Sequence, residues 1–159
     1  MLIQLFSILA IFPMIISDIR HRYISLYWLA AFTLLAACMR FYACELYSTL
    51  LGLGINVFIT LFMLLGALLY FSIKYRHSRK RFLDCIGLGD ILFLFSITLL
   101  FEPEKFLFFL VLSLLFSLAW YYISVEISGK NQTIPLIATI GICYLVYSFI
   151  KNTLWSINQ

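Results

Sequence analysis

The sequence Gly87-Leu88-Gly89-Asp90 stands at the start of an apolar run that covers residues 91–101. An aspartate at the edge of such a run is energetically unfavourable in a membrane unless the side chain has a task. A second aspartate, Asp18, directly follows the apolar residues 1–17 and precedes the basic cluster Arg20-His21-Arg22. Any account of this chain therefore has to explain two carboxylates at the ends of apolar segments.

The composition of the chain is typical of an integral membrane protein. Of its 159 residues, 64% are hydrophobic and 11% are charged, and the mean hydropathy is +1.05. This leaves too little polar surface to cover a water-soluble globule. Because a helix needs about 20 apolar residues to cross a bilayer, the sequence predicts an all-α membrane protein, a polytopic bundle of about six transmembrane helices in one domain. The predicted spans cover residues 1–17, 23–39, 46–73, 87–101, 106–127 and 134–150.

The distribution of lysine and arginine predicts the orientation of these spans, because cytoplasmic loops are enriched in both. The most basic stretch, residues 74–81, should be cytoplasmic and should contact anionic lipid headgroups rather than nucleic acid. Both termini are then outside, and Asp18 and Asp90 share the inner membrane face. Arg20, Arg22, Lys74, Arg76, Arg79, Lys80, Arg81 and Lys130 lie inside in this layout, and Arg40, Lys105 and Lys151 lie outside.

Two carboxylates that meet at a membrane edge can act as an acid and a base. In a medium of low dielectric they do not both ionise easily, so that one proton is shared between them. The ionised carboxylate can take a proton from water while the protonated one polarises a peptide carbonyl, as in aspartic proteases. We expect Gly87 and Gly89 to support Asp90 through backbone conformations closed to other residues, and the helix dipole to favour its ionised form.

Each aspartate also has a plain structural interpretation, in which Asp90 only caps a helix and Asp18 pairs with Arg20 or Arg22. A further, non-enzymatic interpretation is a small transporter or assembly subunit whose two aspartates bind a proton or a cation. The four cysteines have no paired short spacing, so the sequence signals neither a zinc cluster nor a disulfide framework.

Two motifs resemble the catalytic motifs of the type IV prepilin peptidases, which are membrane aspartic proteases of the Gly-x-Gly-Asp type. They are Asp-Ile-Arg-His-Arg-Tyr-Ile at residues 18–24 and Gly-Leu-Gly-Asp at residues 87–90. The segment Ile134-Pro135-Leu136-Ile137-Ala138 is similar to the Ile-Pro element that opens the last helix of that family. The six-helix layout and the basic loop before the second motif extend the resemblance over most of the chain.

This resemblance implies that Asp18 and Asp90 are the catalytic pair of an aspartic endopeptidase in the cytoplasmic membrane of a bacterium or archaeon, where it would serve type IV pilus assembly or protein secretion. The implied substrate is a pilin-like precursor that is cut on the cytoplasmic side, before its hydrophobic helix. No metal or organic cofactor is implied. Larger members carry a methyltransferase segment with paired cysteines that is missing from this sequence, so we expect peptidase activity alone.

The chain departs from the family pattern at two places. Ser25-Leu26 stands where Pro-Asn is common, and Ile91-Leu92 follows Asp90 where a lysine is often found. Both departures bear on the choice of substrate rather than on the type of reaction. Presenilin-like proteases also carry Gly-Leu-Gly-Asp, but they are much longer and place a tyrosine before the first aspartate, where this chain has Ser17.

Overall fold

The computed structural model describes residues 2–21, 25–43, 45–74, 87–128 and 136–157. Within these ranges the chain is helical apart from short turns, which confirms the predicted all-α class. The helices in the described ranges are α1 (Leu2–His21), α2 (Leu26–Ala43), α3 (Leu46–Lys74), α4 (Leu88–Thr98), α5 (Pro103–Ser128) and α6 (Leu136–Ile157).

Several helices extend beyond their apolar runs. α1 continues through Asp18 to His21, past the predicted end of its span at residue 17, and α2 continues through Arg40 to Ala43, past the predicted end of its span at residue 39. Charged residues such as arginine are good helix formers, so a change in hydropathy marks where side chains become polar and not where the helix ends. Both Asp18 and Arg40 are therefore held by helical backbone.

α5 begins at Pro103, three residues before the predicted start of its span. Proline suits the first position of a helix because its fixed φ fits the helix and no N–H is lost from the hydrogen-bond ladder. The carbonyl oxygen of Glu102 accepts the N–H of Phe106 at 2.8 Å. Residues 103–105, which lie between two predicted spans, thus belong to the first turn of α5.

α4 is shorter than predicted. The apolar run indicated a span over residues 87–101, whereas α4 has 11 residues and a length of about 16 Å, about half of a hydrocarbon core of about 30 Å. Its end is held by the buried Asn56 of α3, whose Nδ2 donates to the carbonyl oxygens of Thr98 at 2.9 Å and Phe101 at 2.7 Å. The carbonyl of Thr98 is one of the acceptors that a helix end leaves without intrahelical partners, and the bond to Phe101 holds the turn that follows α4.

Two of the described helices are long and apolar enough to cross a membrane. These segments are Leu46–Tyr70 within α3 and Pro103–Ile123 within α5. Only 17% and 28% of their most apolar windows are buried inside the protein, so most of their apolar side chains face outwards. Exposed apolar surface of this extent calls for a lipid or protein environment.

The chain divides into two compact units. We call Met1–Leu29 with Phe108–Gln159 the terminal unit and Ala30–Leu107 the central unit. In the terminal unit, α1 packs along α6, and α5 joins α6 through a hydrogen bond between the hydroxyls of Ser117 and Thr139. A ring contact between Phe109 and Tyr147, with centroids 6.3 Å apart, adds to the same interface.

In the central unit, α4 contacts both α2 and α3. The rings of Phe32 and Phe93 lie 5.9 Å apart, and the hydroxyls of Thr33 and Ser96 form a hydrogen bond of 2.7 Å. The hydroxyl of Ser96 also donates to the carbonyl of Leu92 at 2.9 Å. The hydroxyl of Ser96 thus links α4 to α2 as well as to its own preceding turn.

Candidate catalytic aspartates

Asp18 is a buried carboxylate that contacts the first turn of α6. Its side chain lies in the last turn of α1 and is only 7% exposed. Its Oδ2 accepts the backbone N–H of Ala138 at 2.9 Å. Ala138 is the third residue of α6, so this N–H is one of those that a helix start leaves without an intrahelical partner. Asp18 therefore caps α6 across 120 residues of sequence.

The close approach of α1 and α6 explains how the carboxylate reaches this amide. Gly141, one turn after Ala138, has no side chain, and a Cβ there would lie 2.9 Å from the Cγ1 of Ile15 and 3.5 Å from the Cδ1 of Ile11. Further along the same interface, the hydroxyls of Ser7 and Tyr144 form a hydrogen bond of 3.1 Å. Small residues permit such close helix contacts, so Gly141 sets the distance between Asp18 and α6.

Asp90 has a different environment. It is half-buried and lies in the first turn of α4. The carbonyl oxygen of Gly87, the residue that precedes the helix, accepts the N–H of Asp90 at 3.1 Å and that of Ile91 at 3.3 Å. Asp90 therefore lies near a helix start, as predicted. The preference for its ionised form, which the helix dipole would favour there, stays a prediction.

The reason for a glycine at position 87 differs from the predicted one. Gly87 has φ −65° and ψ 139°, an extended conformation that other residues adopt readily, so the expected special backbone is absent there. A Cβ on Gly87 would instead lie 3.2 Å from the Oδ2 of Asp90. The missing side chain thus leaves room for the Asp90 carboxylate, while Gly89 lies inside the first turn of α4.

The structure describes Asp18 in the terminal unit and Asp90 in the central unit, so the pairing of the two carboxylates stays a prediction. The residues Arg22, Ile134 and Pro135, which belong to the predicted motifs, lie outside the described residues. So does most of the basic stretch. Among the described residues, no group of three histidine, cysteine, aspartate or glutamate side chains could hold a metal ion.

Sequence reasoning missed the link between Asp18 and Ala138. The signal was available, because Ile-Pro before Leu136 indicates a helix start and an aspartate is a preferred partner for helix-start amides. Nothing in the sequence pattern shows that the two segments, which are far apart along the chain, meet. That information comes from the packing of α1 on α6.

No family model, no curated protein and no solved structure matches the chain. The resemblance to the type IV prepilin peptidases therefore depends on the residues themselves. These are the motif that begins at Asp18, the motif that ends at Asp90 and the segment Ile134-Pro135-Leu136-Ile137-Ala138.

Proposed function

We propose that this protein is a membrane aspartic endopeptidase of the type IV prepilin peptidase kind, with Asp18 and Asp90 as its catalytic pair. The observation that carries the proposal is the buried carboxylate of Asp18, hydrogen-bonded to the Ala138 amide at 2.9 Å. The two residues belong to two of the three segments on which the family resemblance depends. A buried carboxylate fixed in orientation at the end of a helix is suited to catalysis.

The proposed setting is a bilayer that all of the helices enter, with the active site on the cytoplasmic side. The apolar outward faces of α3 and α5 support this setting, as does the excess of lysine and arginine in the loops assigned to the inner side. α4 would enter from the inner face and end part-way across. Because α4 begins next to Gly87, Asp90 would then lie at the membrane edge, where the leader of a precursor meets its apolar helix.

The proposed reaction is hydrolysis of one peptide bond without a covalent intermediate. The ionised carboxylate takes a proton from water as the water oxygen attacks the carbonyl carbon, and the protonated carboxylate donates a hydrogen bond to the carbonyl oxygen. The tetrahedral intermediate collapses when the C–N bond breaks and the leaving nitrogen receives a proton from the pair. Each product is released with a normal terminus, a carboxylate on the leader and an amine on the mature chain.

The test is cleavage of a co-expressed pilin-like precursor by the parent, Asp18→Asn, Asp90→Asn and the double variant. Asparagine keeps the size of the side chain and an oxygen that can accept the Ala138 N–H, so the Asp18→Asn protein should insert and fold. Each single variant should lose cleavage entirely on a gel-shift assay, because one carboxylate does not serve as both acid and base. The double variant should be no worse, since residues that act as a unit are not additive.

Matched abundance on a blot and a matched unfolding midpoint are the controls for each variant. Near-parental cleavage by either asparagine variant would refute the catalytic pair. The alternative, in which the two aspartates bind a proton or a cation in a transporter or assembly subunit, would then be favoured. A measurement of cation-driven flux would test it.

A further inference from the structure

The central unit contains a buried cation that has no counter-charge among the described residues. Arg40, in the last turn of α2, is only 9% exposed, and its Nε is buried without a hydrogen-bond partner. None of the described carboxylates lies within salt-bridge distance of its guanidinium. The helix dipole of α2 offers a partial negative charge at this end, but it gives the Nε no acceptor. A buried charge in such a position calls for a partner.

Gly52 on α3 provides the space for this guanidinium. A Cβ at Gly52 would lie 2.7 Å from the Nη2 of Arg40 and 3.6 Å from the Cδ of Pro103. The guanidinium and the first residue of α5 thus meet at one point on α3. The missing side chain of Gly52 therefore leaves room for the guanidinium in the central unit.

Two more buried polar atoms, which have no hydrogen-bond partner in the described part of the chain, lie one turn to each side of Gly52. They are the Oγ1 of Thr49 and the Oδ1 of Asn56, both on fully buried side chains. Residues three and four positions apart share one face of a helix, so Thr49, Gly52 and Asn56 form a single stripe on α3. The amide of Asn56 has a fixed orientation because its Nδ2 donates to Thr98 and Phe101, so its Oδ1 has to accept from another group.

We propose that Arg40, Thr49 and Asn56 form a binding site for a phosphate group. A guanidinium offers a planar fork of donors that matches phosphate oxygens, and the hydroxyl of Thr49 adds another donor. The free acceptor on Asn56 requires a ligand that also carries a hydroxyl. Hydrogen phosphate and the phosphoglycerol headgroup of phosphatidylglycerol both meet this requirement, whereas an ionised carboxylate group does not.

The position of Gly52 along α3 agrees with either source of phosphate. Gly52 is the seventh residue of α3, which places it about 9 Å along the helix from Leu46. In the proposed membrane setting this is near the outer interface, on the side opposite to Asp90. Arginine side chains at that depth reach lipid phosphates. The site is therefore separate from the proposed peptidase chemistry.

The experiment uses the full chain, purified in detergent and freed of lipid. In one arm, inorganic phosphate at low millimolar concentration and constant ionic strength is titrated while the thermal unfolding midpoint is recorded. In the other arm, native mass spectrometry compares retention of phosphatidylglycerol with that of diacylglycerol with the same acyl chains. A midpoint rise specific to phosphate assigns the site to the free ion, and selective retention of phosphatidylglycerol assigns it to the lipid.

The variants are Arg40→Gln, Thr49→Val and Gly52→Ala, with Gly54→Ala as the matched control. Gly54 lies on the same helix, and a Cβ there would meet nothing within 4 Å, whereas a methyl group at Gly52 would displace the guanidinium. We expect Arg40→Gln and Gly52→Ala to weaken binding about tenfold or more, because hydrogen bonds to charged groups are among the strongest in proteins. Gly54→Ala should bind like the parent.

If Arg40→Gln does not fold, the pair Gly52→Ala and Gly54→Ala still separates the outcomes, because both make the same chemical change. Equal phosphate affinity and equal lipid retention in these two variants would overturn the proposal. So would the absence of any phosphate-specific effect in both arms with the parent protein.

Discussion

Asp18 and Asp90 are both aspartates next to apolar segments, yet their surroundings differ. Asp18 is buried in the last turn of α1 and caps α6, whereas Asp90 is half-buried in the first turn of α4, beside the missing side chain of Gly87. The first carboxylate therefore stabilises the start of α6 in addition to its proposed chemical role. Loss of activity alone does not separate these tasks, so stability has to be measured beside it.

Lengthening each carboxylate side chain by one methylene should have the largest effect. Asp18→Glu and Asp90→Glu should each reduce precursor cleavage about a hundredfold, because a displacement of about 1 Å at a reacting group has that consequence. Only Asp18→Glu should also lower the free energy of unfolding, by about 1 to 3 kcal/mol, because the extra methylene enters a packed interior. Cleavage rates and thermal unfolding in detergent would measure both effects. Equal stability of the two variants would contradict the difference drawn between the aspartates.

Gly141→Ala should separate α1 from α6 without touching either aspartate. The new Cβ would lie 2.9 Å from the Cγ1 of Ile15, which is not the end of a flexible side chain, so the helices have to move apart. We expect the free energy of unfolding to fall by about 1 to 3 kcal/mol. Cleavage should also fall, because the carboxylate of Asp18 would move away from the Ala138 N–H. Gly66→Ala is the matched control, because a Cβ there meets nothing within 4 Å. Similar unfolding midpoints for both variants would show that Gly141 is not a close contact.

Gly87→Ala should act on Asp90 with little effect on folding. A methyl group 3.2 Å from the Oδ2 of Asp90 should push the carboxylate by a few tenths of an ångström, and the φ of −65° is open to alanine. We expect cleavage to fall about threefold to tenfold, with the unfolding midpoint close to that of the parent. A steady-state cleavage assay compares it with Gly54→Ala. Full activity in Gly87→Ala would show that the space beside Asp90 is not needed.

The smallest expected difference is between Asp18→Asn and Asp18→Ala. Both should be inactive, but asparagine retains an acceptor for the Ala138 N–H and alanine does not. We expect Asp18→Ala to be less stable than Asp18→Asn by about 1 kcal/mol, the usual contribution of a helix cap. Chemical denaturation of the two purified proteins measures the difference. Indistinguishable curves would remove the capping task from Asp18 and leave only the proposed chemical one.

The apolar pattern predicted α3 almost to the residue, at residues 46–73 against Leu46–Lys74. It failed at α4, because residues 99–101 are as apolar as the helix before them. The amide of Asn56 bonds the carbonyls of Thr98 and Phe101, and no hydropathy window contains a residue so remote in the sequence. For Arg40, the charge indicated a loop, whereas the backbone continues as helix and buries the side chain.

For the candidate site, residue types and spacing were sufficient to single out Asp18, Asp90 and the glycines before Asp90. Composition was sufficient for the all-α class, because 64% hydrophobic residues in long runs favour helices that satisfy their own backbone hydrogen bonds. Only the tertiary structure shows that Asp18 contacts Ala138 and that Gly52 leaves room for Arg40, because both depend on distances between helices. Such distances follow from the packing of side chains that are remote in sequence. The pattern of residue types along the chain does not show which of these side chains meet.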